Sequence, residues 1–163
     1  MNRTHLAQAA GPGKHGRVLE VAAGNGSNTP MLAARALRLT VTEGTPSGAE
    51  LTRQAIEGIE RTSVHQLDLA DRFPGDRYDL IVISEVLYYL PDRSFRALAS
   101  EVSRTLRPAG TLVLAHHTVF FDDALRDGRG VHRQFLGEVA ADLACAFRRR
   151  TRRYVIERLR RTR

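Results

Sequence analysis

Short apolar runs alternate along this chain with segments of helical spacing, and that alternation restricts the fold more than any other feature. The runs are Arg17–Ala22, Leu39–Thr42, Ser63–Leu67, Asp79–Ser84 and Thr111–His116. Two of the helices between them announce their starts with a cap residue and a proline: Asn28 or Thr29 before Pro30, and Thr45 before Pro46. Proline at the first helical position gives up an N–H that would have no partner there anyway. The second of these helices is expected to end near Glu57, and further helices are expected over Asp92–Leu106 and about Val131–Leu143. Asp79–Ser84 is the most apolar run, as a central strand covered on both faces should be. Two more strand candidates, Ala146–Arg150 and Tyr154–Leu159, end the chain. Strands separated by helices in this way form right-handed βαβ units on a parallel sheet. The expected architecture is α/β: a Rossmann-like three-layer sandwich on a mostly parallel seven-stranded sheet. Residues 1–16 read as a short extension and 17–163 as one domain.

Several classes are disfavoured early. A chain of 163 residues buries about two thirds of its unfolded surface, enough for one core. Cys145 is the only cysteine, so neither an internal disulfide nor a Cys-rich metal site is expected. No apolar run approaches the roughly 18 residues of a spanning helix; the best, Leu80–Leu90, is cut by Glu85. The first residues contain no apolar stretch of the kind that leads a secreted chain, so a cytoplasmic location is expected. His116, His117, Asp122 and Asp123 fit no common metal-ligand spacing, and no metal is expected.

The net charge of +7 is local. Nine of the 25 basic residues lie in 148–163 against one acid, Glu157, while the rest of the chain holds 16 basic and 17 acidic residues. The Arg148–Arg153 run has three readings: a nucleic-acid patch, a rim for an anionic substrate, or a solvated antiparallel hairpin at the sheet edge. Arginine on an edge strand blocks edge-to-edge pairing. No aromatic residues interleave to form a stacking platform, and the solvated hairpin is the preferred reading.

In open α/β sheets ligands bind beyond the carboxyl ends of the strands. Those ends carry Glu20 with Ala22-Ala23-Gly24-Asn25-Gly26, then Glu43-Gly44, Asp68-Leu69, Ser84-Glu85 and His116-His117. Gly24 and Gly26 allow a sharp turn and close approach of a ligand. The third glycine of a dinucleotide fingerprint would fall at position 29, where Thr29 stands, which argues against NAD or FAD. Glu43 ends the second strand, where a carboxylate accepts from both hydroxyls of a ribose. Together these features describe a nucleoside pocket without a phosphate cradle.

The run Val18-Leu-Glu-Val-Ala-Ala-Gly-Asn-Gly-Ser27, followed by Glu43, Asp68 and Asp79-Leu-Ile-Val-Ile-Ser-Glu-Val-Leu-Tyr-Tyr-Leu90, resembles a class I S-adenosylmethionine-dependent methyltransferase. Leu106-Arg-Pro-Ala-Gly-Thr-Leu-Val-Leu114 is similar to the turn that precedes strand five in that family. Ser84–Leu90 and the histidines after strand five look most like the nodulation S branch, which N-methylates an amino sugar on a chitooligosaccharide. The resemblance covers about residues 17–116. It implies S-adenosylmethionine as cofactor, S-adenosylhomocysteine as product and a small-molecule acceptor. It also implies that Glu20 and the loop from Ala22 to Gly26 hold the methionine part, Glu43 and Gly44 the ribose, and Asp68 and Leu69 the adenine. Ser84 and Glu85 would line the junction between donor and acceptor. Ala22 replaces the first glycine of the family signature, a change that fits if its φ stays negative. Ala109 likewise replaces a glycine of the turn. No Asn/Asp-Pro-Pro-Tyr/Phe motif follows strand four, which counts against methylation of adenine bases or amide nitrogens.

Methyl transfer is an in-line displacement served chiefly by positioning and desolvation. An amine acceptor must be neutral, and a base takes its proton. Glu85, Tyr88, Tyr89, His116 and His117 are the candidates. Alternation along a strand turns at most one of the two histidines toward the cleft, and His116 is preferred, with Glu85, as the catalytic pair. Tyr88, Tyr89 and His117 then read as acceptor-side residues, with core packing an equal reading of the tyrosines. So little chain before strand one suggests an open acceptor site with residues 118–130 as its lid. Two alternatives stand beside this reading: an RNA methyltransferase using the Arg-rich end, and a non-catalytic cofactor-binding or partner domain.

Overall fold

The computed structural model describes residues 3–75, 77–119 and 121–163. Met1 and Asn2 of the expected extension and Phe120 of the expected lid lie outside the described residues, as does Asp76. In chain order the elements are α1 (Arg3–Ala10), β1 (His15–Val21), α2 (Thr29–Ala33), β2 (Ala36–Glu43), α3 (Pro46–Ala55), β3 (Thr62–Gln66), β4 (Tyr78–Ser84), α4 (Asp92–Thr105), β5 (Leu106–His117), α5 (Val131–Glu138), β6 (Leu143–Arg150) and β7 (Tyr154–Arg161). A single 3-10 turn, Leu87–Tyr89, lies between β4 and α4.

The seven strands form one sheet in the order β3-β2-β1-β4-β5-β7-β6. β1 to β5 run parallel, while β7 is antiparallel to both β5 and β6. The order reverses between β1 and β4, which opens the crevice where such sheets bind ligands. Leu80 to Ile83 are buried to 1% exposure or less, as the continuous apolar run of a central parallel strand requires. One core lies under α4 and α5, where Phe95, Leu98, Ala99 and Val102 recur at helical spacing against Ile81, Ile83, Leu112 and Leu114. The other gathers Leu6, Ala9 and Ala10 of α1 and Leu32 of α2 over Val18, Leu80, Val82 and Val113.

Four expectations change. Residues 3–10, within the expected short extension and not assigned to a helix, form α1, and its Leu6, Ala9 and Ala10 are buried in the core. β5 begins at Leu106 rather than Thr111, with an irregularity opposite Tyr78–Leu80 and Ala109 in the left-handed region at φ +57°. α5 stops at Glu138, five residues before the expected end, because Leu143 is drawn into β6 to pair with Arg161. α2 lacks the expected side-chain cap, since Asn28 is itself helical in conformation. Thr45, in contrast, caps α3 as its spacing predicts, accepting the Gly48 N–H at 3.1 Å.

Candidate functional site

A cavity of about 430 Å³ lies at the carboxyl ends of the central strands. Six residues singled out from the sequence line it: Ala22 after β1, Glu43 and Gly44 at the end of β2, Asp68 and Leu69 after β3, and Glu85 after β4. Val86, Leu90, Pro91 and Ser94 complete the wall. Val86 and Leu90 lie in the same run as Glu85, but apolar residues there gave no signal distinct from packing. Glu20, Ala23, Gly24, Asn25, Gly26 and Ser84 are not among the wall residues. Asn25 is exposed and caps its own turn, accepting the Ser27 N–H at 3.1 Å.

Glu43 organises the glycine loop. Its Oε2 accepts the Gly24 N–H at 2.9 Å, and its Oε1 accepts both the N–H and the hydroxyl of Thr45 at 3.0 and 2.8 Å. The Thr52 hydroxyl donates to the Gly24 carbonyl at 3.1 Å, so β2 and α3 hold the loop from two sides. Gly26 is where only glycine fits: its φ is +71°, and a Cβ there would lie 2.9 Å from the Thr52 Cα. The loop also contains a residue in a costly conformation. Ala22 sits at φ +53°, so the condition under which an alanine fits easily is not met. A left-handed non-glycine residue costs about 1–2 kcal/mol.

Glu20 is 1% exposed, and neither carboxyl oxygen has a hydrogen-bond partner among the described residues. Burial pushes its carboxyl up to about 7. The Thr29 hydroxyl beside it offsets only part of that shift, and a buried acid without a close hydrogen bond is a feature that a group completing it would remove. Asp68 is exposed and accepts the Ala70 N–H at 2.7 Å.

On the other side of the cavity Glu85 also adopts a left-handed backbone, φ +58°. Its Oε2 takes the Tyr88 hydroxyl, the His117 N–H at 3.3 Å and His117 Nδ1 at 2.9 Å, while Oε1 is buried with no partner among the described residues. The carboxylate thereby places the His117 proton on Nδ1 and leaves Nε2 as an acceptor. Burial, followed by the Glu85 hydrogen bond, raises the Tyr88 phenol well above its usual range. Tyr88 is 2% exposed and packs edge-on to Tyr89 and against Phe121, so the structure does not present it for stacking on a sugar. Tyr89 is 38% exposed.

Of the two histidines, His117 is the half-buried one and bonds Glu85 in the cavity wall, whereas His116, preferred from the sequence, is fully buried. β5 stays regular through His117, which pairs with Tyr154, and this turns His116 inward between Tyr88 and α5. His116 is fully buried. Its Nε2 accepts the N–H groups of Val86 and Leu87 at 3.3 and 3.2 Å, and its Nδ1 lies 2.9 Å from His132 Nε2. His132 Nδ1 in turn bonds Glu157 at 2.6 Å, and Glu157 accepts from Arg148 at 2.6 Å. Two backbone donors on His116 Nε2 assign its proton to Nδ1, so His132 accepts from it and donates to Glu157. Burial first, then the neighbouring His132, holds the His116 imidazole well below its ordinary range. His116 is thus a neutral acceptor that positions the 86–87 backbone, without access to an acceptor molecule. The sequence did hold a signal for this chain: Glu157 is the one acid among nine arginines.

Residues 118–130, expected as a lid, are tied to the body at Thr118 and at Leu125–Arg126. Thr118 donates its N–H to Arg153 and its hydroxyl to Arg152, and the Leu125 and Arg126 N–H groups both donate to the Tyr88 carbonyl. The Arg126 guanidinium bonds the Leu90 carbonyl and Asp92 and lies 4.2 Å over the Phe95 ring. Among the described residues no cluster of three or more His, Cys, Asp or Glu is placed to hold a metal, and no helix is long and apolar enough to cross a membrane.

The strand order and the placement of the cavity define the class I methyltransferase fold. Within that class the chain belongs to the nodulation protein S (NodS) family, whose model matches residues 3–119. It is 35% identical over 109 residues to a nodulation protein S of Rhizobium tropici, a match covering 66% of this chain and 45% of the relative. It is 33% identical over 97 residues to a trans-aconitate 2-methyltransferase of Azoarcus sp. (strain BH72), covering 60% of this chain and 37% of the relative. The chain therefore matches less than half the length of either relative. Among solved structures, the N-methyltransferase NodS of Bradyrhizobium japonicum WM9 in complex with S-adenosylhomocysteine superposes with a TM-score of 0.82 at 22% identity, over 99% of this chain and 86% of that one.

Proposed function

We propose that the protein transfers a methyl group from S-adenosylmethionine to an amine or hydroxyl of a small molecule, with amino sugars the first acceptor class to test. One observation carries this reading: in a NodS-family chain, a single cavity brings together Ala22, Glu43, Asp68, Leu69 and Glu85 from four strand ends. The residues fit a nucleoside bearing a methionine side chain. Glu43 and Gly44 would take the ribose, Asp68 and Leu69 the adenine, and Glu20 with the loop to Gly26 the methionine part. Three of the four acceptor positions of the Glu43 carboxylate are filled from within the protein. Accepting from both ribose hydroxyls therefore exchanges the Gly24 N–H for one of them.

The cofactor supplies an activated methyl carbon on a sulfonium. The protein's own task is to align the acceptor, exclude water and receive its proton. His117 takes the proton on Nε2, and Glu85 fixes its ring and stabilises the cation that forms. His116 is a positioning residue that orients the 86–87 backbone of the cavity wall.

Methylation of a panel of amines, amino sugars and alcohols, followed against pH for the parent and His117→Gln, tests both parts. The expected result is turnover of an amine or hydroxyl acceptor, with the acidic limb of kcat/KM lost in the variant. Unchanged rate and profile in His117→Gln would remove the base assignment, and failure of every acceptor despite cofactor binding would favour a non-catalytic cofactor-binding domain.

A further inference from the structure

A second concavity lies between α5 and the β6–β7 hairpin. Arg129 just before α5, Arg133 in its first turn, and Arg148 and Arg150 on β6 line about 400 Å³, with His132 and Glu157 also in the wall. A more open groove of about 680 Å³ shares Arg129 and Arg150 and adds Arg152. The local sequence explains the convergence. Arg148 and Arg150 are two apart on a regular stretch of β6, so both project to one face, and α5 presents Arg133 toward the same space.

Glu157 is the one carboxylate in either wall, and both its oxygens are engaged, one by Arg148 and one by His132. The guanidinium groups of Arg129, Arg133, Arg150 and Arg152 make no ion pair among the described residues, although the Asp127 carboxylate accepts the Arg129 backbone N–H at 2.8 Å. Guanidinium groups crowded around a concave surface repel one another, and their planar donor forks match phosphate oxygens. We propose that this concavity is a binding site for a small polyanion of the phosphate class. Its volume suits a small molecule, and neither wall contains a Phe, Tyr or Trp ring on which nucleic-acid bases would stack.

The site shares no lining residue with the methyl-transfer cavity, and the inference does not depend on that reading. The two are nevertheless joined. His132 in the anion wall bonds His116, and His116 accepts the N–H of Val86 in the wall of the other cavity.

Calorimetric titration of the full chain with pyrophosphate tests the proposal, with sodium chloride at matched ionic strength as control and Arg129→Ala/Arg150→Ala as the variant. Saturable binding to one site is expected, weakened about tenfold or more in the double variant by loss of charged hydrogen bonds. A far-UV circular-dichroism spectrum and Tm of the double variant, expected to match the parent, show that it remains folded. Heats equal to the chloride control, or equal affinity in parent and double variant, would overturn the proposal. A short single-stranded RNA that bound more tightly than pyrophosphate, and was lost in the same variant, would overturn it in favour of a nucleic-acid surface.

Discussion

Ala22 offers a direct test of the physical account of the glycine loop. Its φ of +53° places an alanine where the family pattern has glycine. Replacing it by glycine removes about 1–2 kcal/mol of left-handed strain. Against this, glycine adds about 0.4–1 kcal/mol of unfolded-state entropy. Ala22 is partly buried against the core, so loss of its methyl costs up to a further ~0.5 kcal/mol. The net expectation for Ala22→Gly is stabilisation by about 0.5 kcal/mol, which for a chain of this length raises Tm by about 1–2 °C. Ala23→Gly supplies the opposite sign, because Ala23 is not in the left-handed region; it should lower stability by about 0.4–1 kcal/mol. Thermal melts of the three proteins under one buffer read the difference. If Ala22→Gly lowered Tm as Ala23→Gly does, the strain assigned to Ala22 would be wrong.

Three further outcomes follow from the same structure. The Glu20 carboxyl is held at about 7 against an ordinary 4.5, so the folded state binds its proton more tightly and stability falls as pH rises through that window. The urea-unfolding free energy of the parent relative to Glu20→Gln should drop by about 2.5 kcal/mol between pH 5 and pH 8, and a constant difference would refute the assignment. His132→Ala leaves the buried His116 Nδ1–H without its acceptor and should cost about 3 kcal/mol in chemical denaturation; a loss below half of that would show the buried chain to be loosely held. Thr45→Ala removes the α3 cap and the hydroxyl donor to Glu43 while leaving the backbone N–H donor, and should cost about 1 kcal/mol, read in the same assay.

The parallel sheet was legible because its signal is redundant. Leu80–Ile83 is apolar throughout, and the Thr45-Pro46 pair marks a helix start by a local mechanism that the structure repeats. α1 was not legible. Its Leu6, Ala9 and Ala10 have helical spacing, but eight residues ahead of Gly11-Pro12-Gly13 are too few for the pattern to stand out. The end of α5 depended on pairing across β6 and β7, a long-range contact that no local window contains. At the site, Glu43, Asp68 and Glu85 marked the cavity wall because position along a parallel strand determines which end of the sheet a residue reaches, whereas Glu20 lies buried behind it. Facing is a different matter. Which of His116 and His117 is buried turned on one residue of register at the end of β5, and the residue preferred from strand length is the buried one. The φ of Ala22 was hidden as well, since its conformation is imposed by the loop and not by its own preference.

Calorimetric titration with S-adenosylhomocysteine, parent against Glu43→Ala, bears most directly on the central claim that the cavity at the ends of β1, β2, β3 and β4 is a cofactor site. The account predicts micromolar binding by the parent and its loss in the variant. Absence of binding by the parent at millimolar ligand, or equal binding by Glu43→Ala, would contradict it.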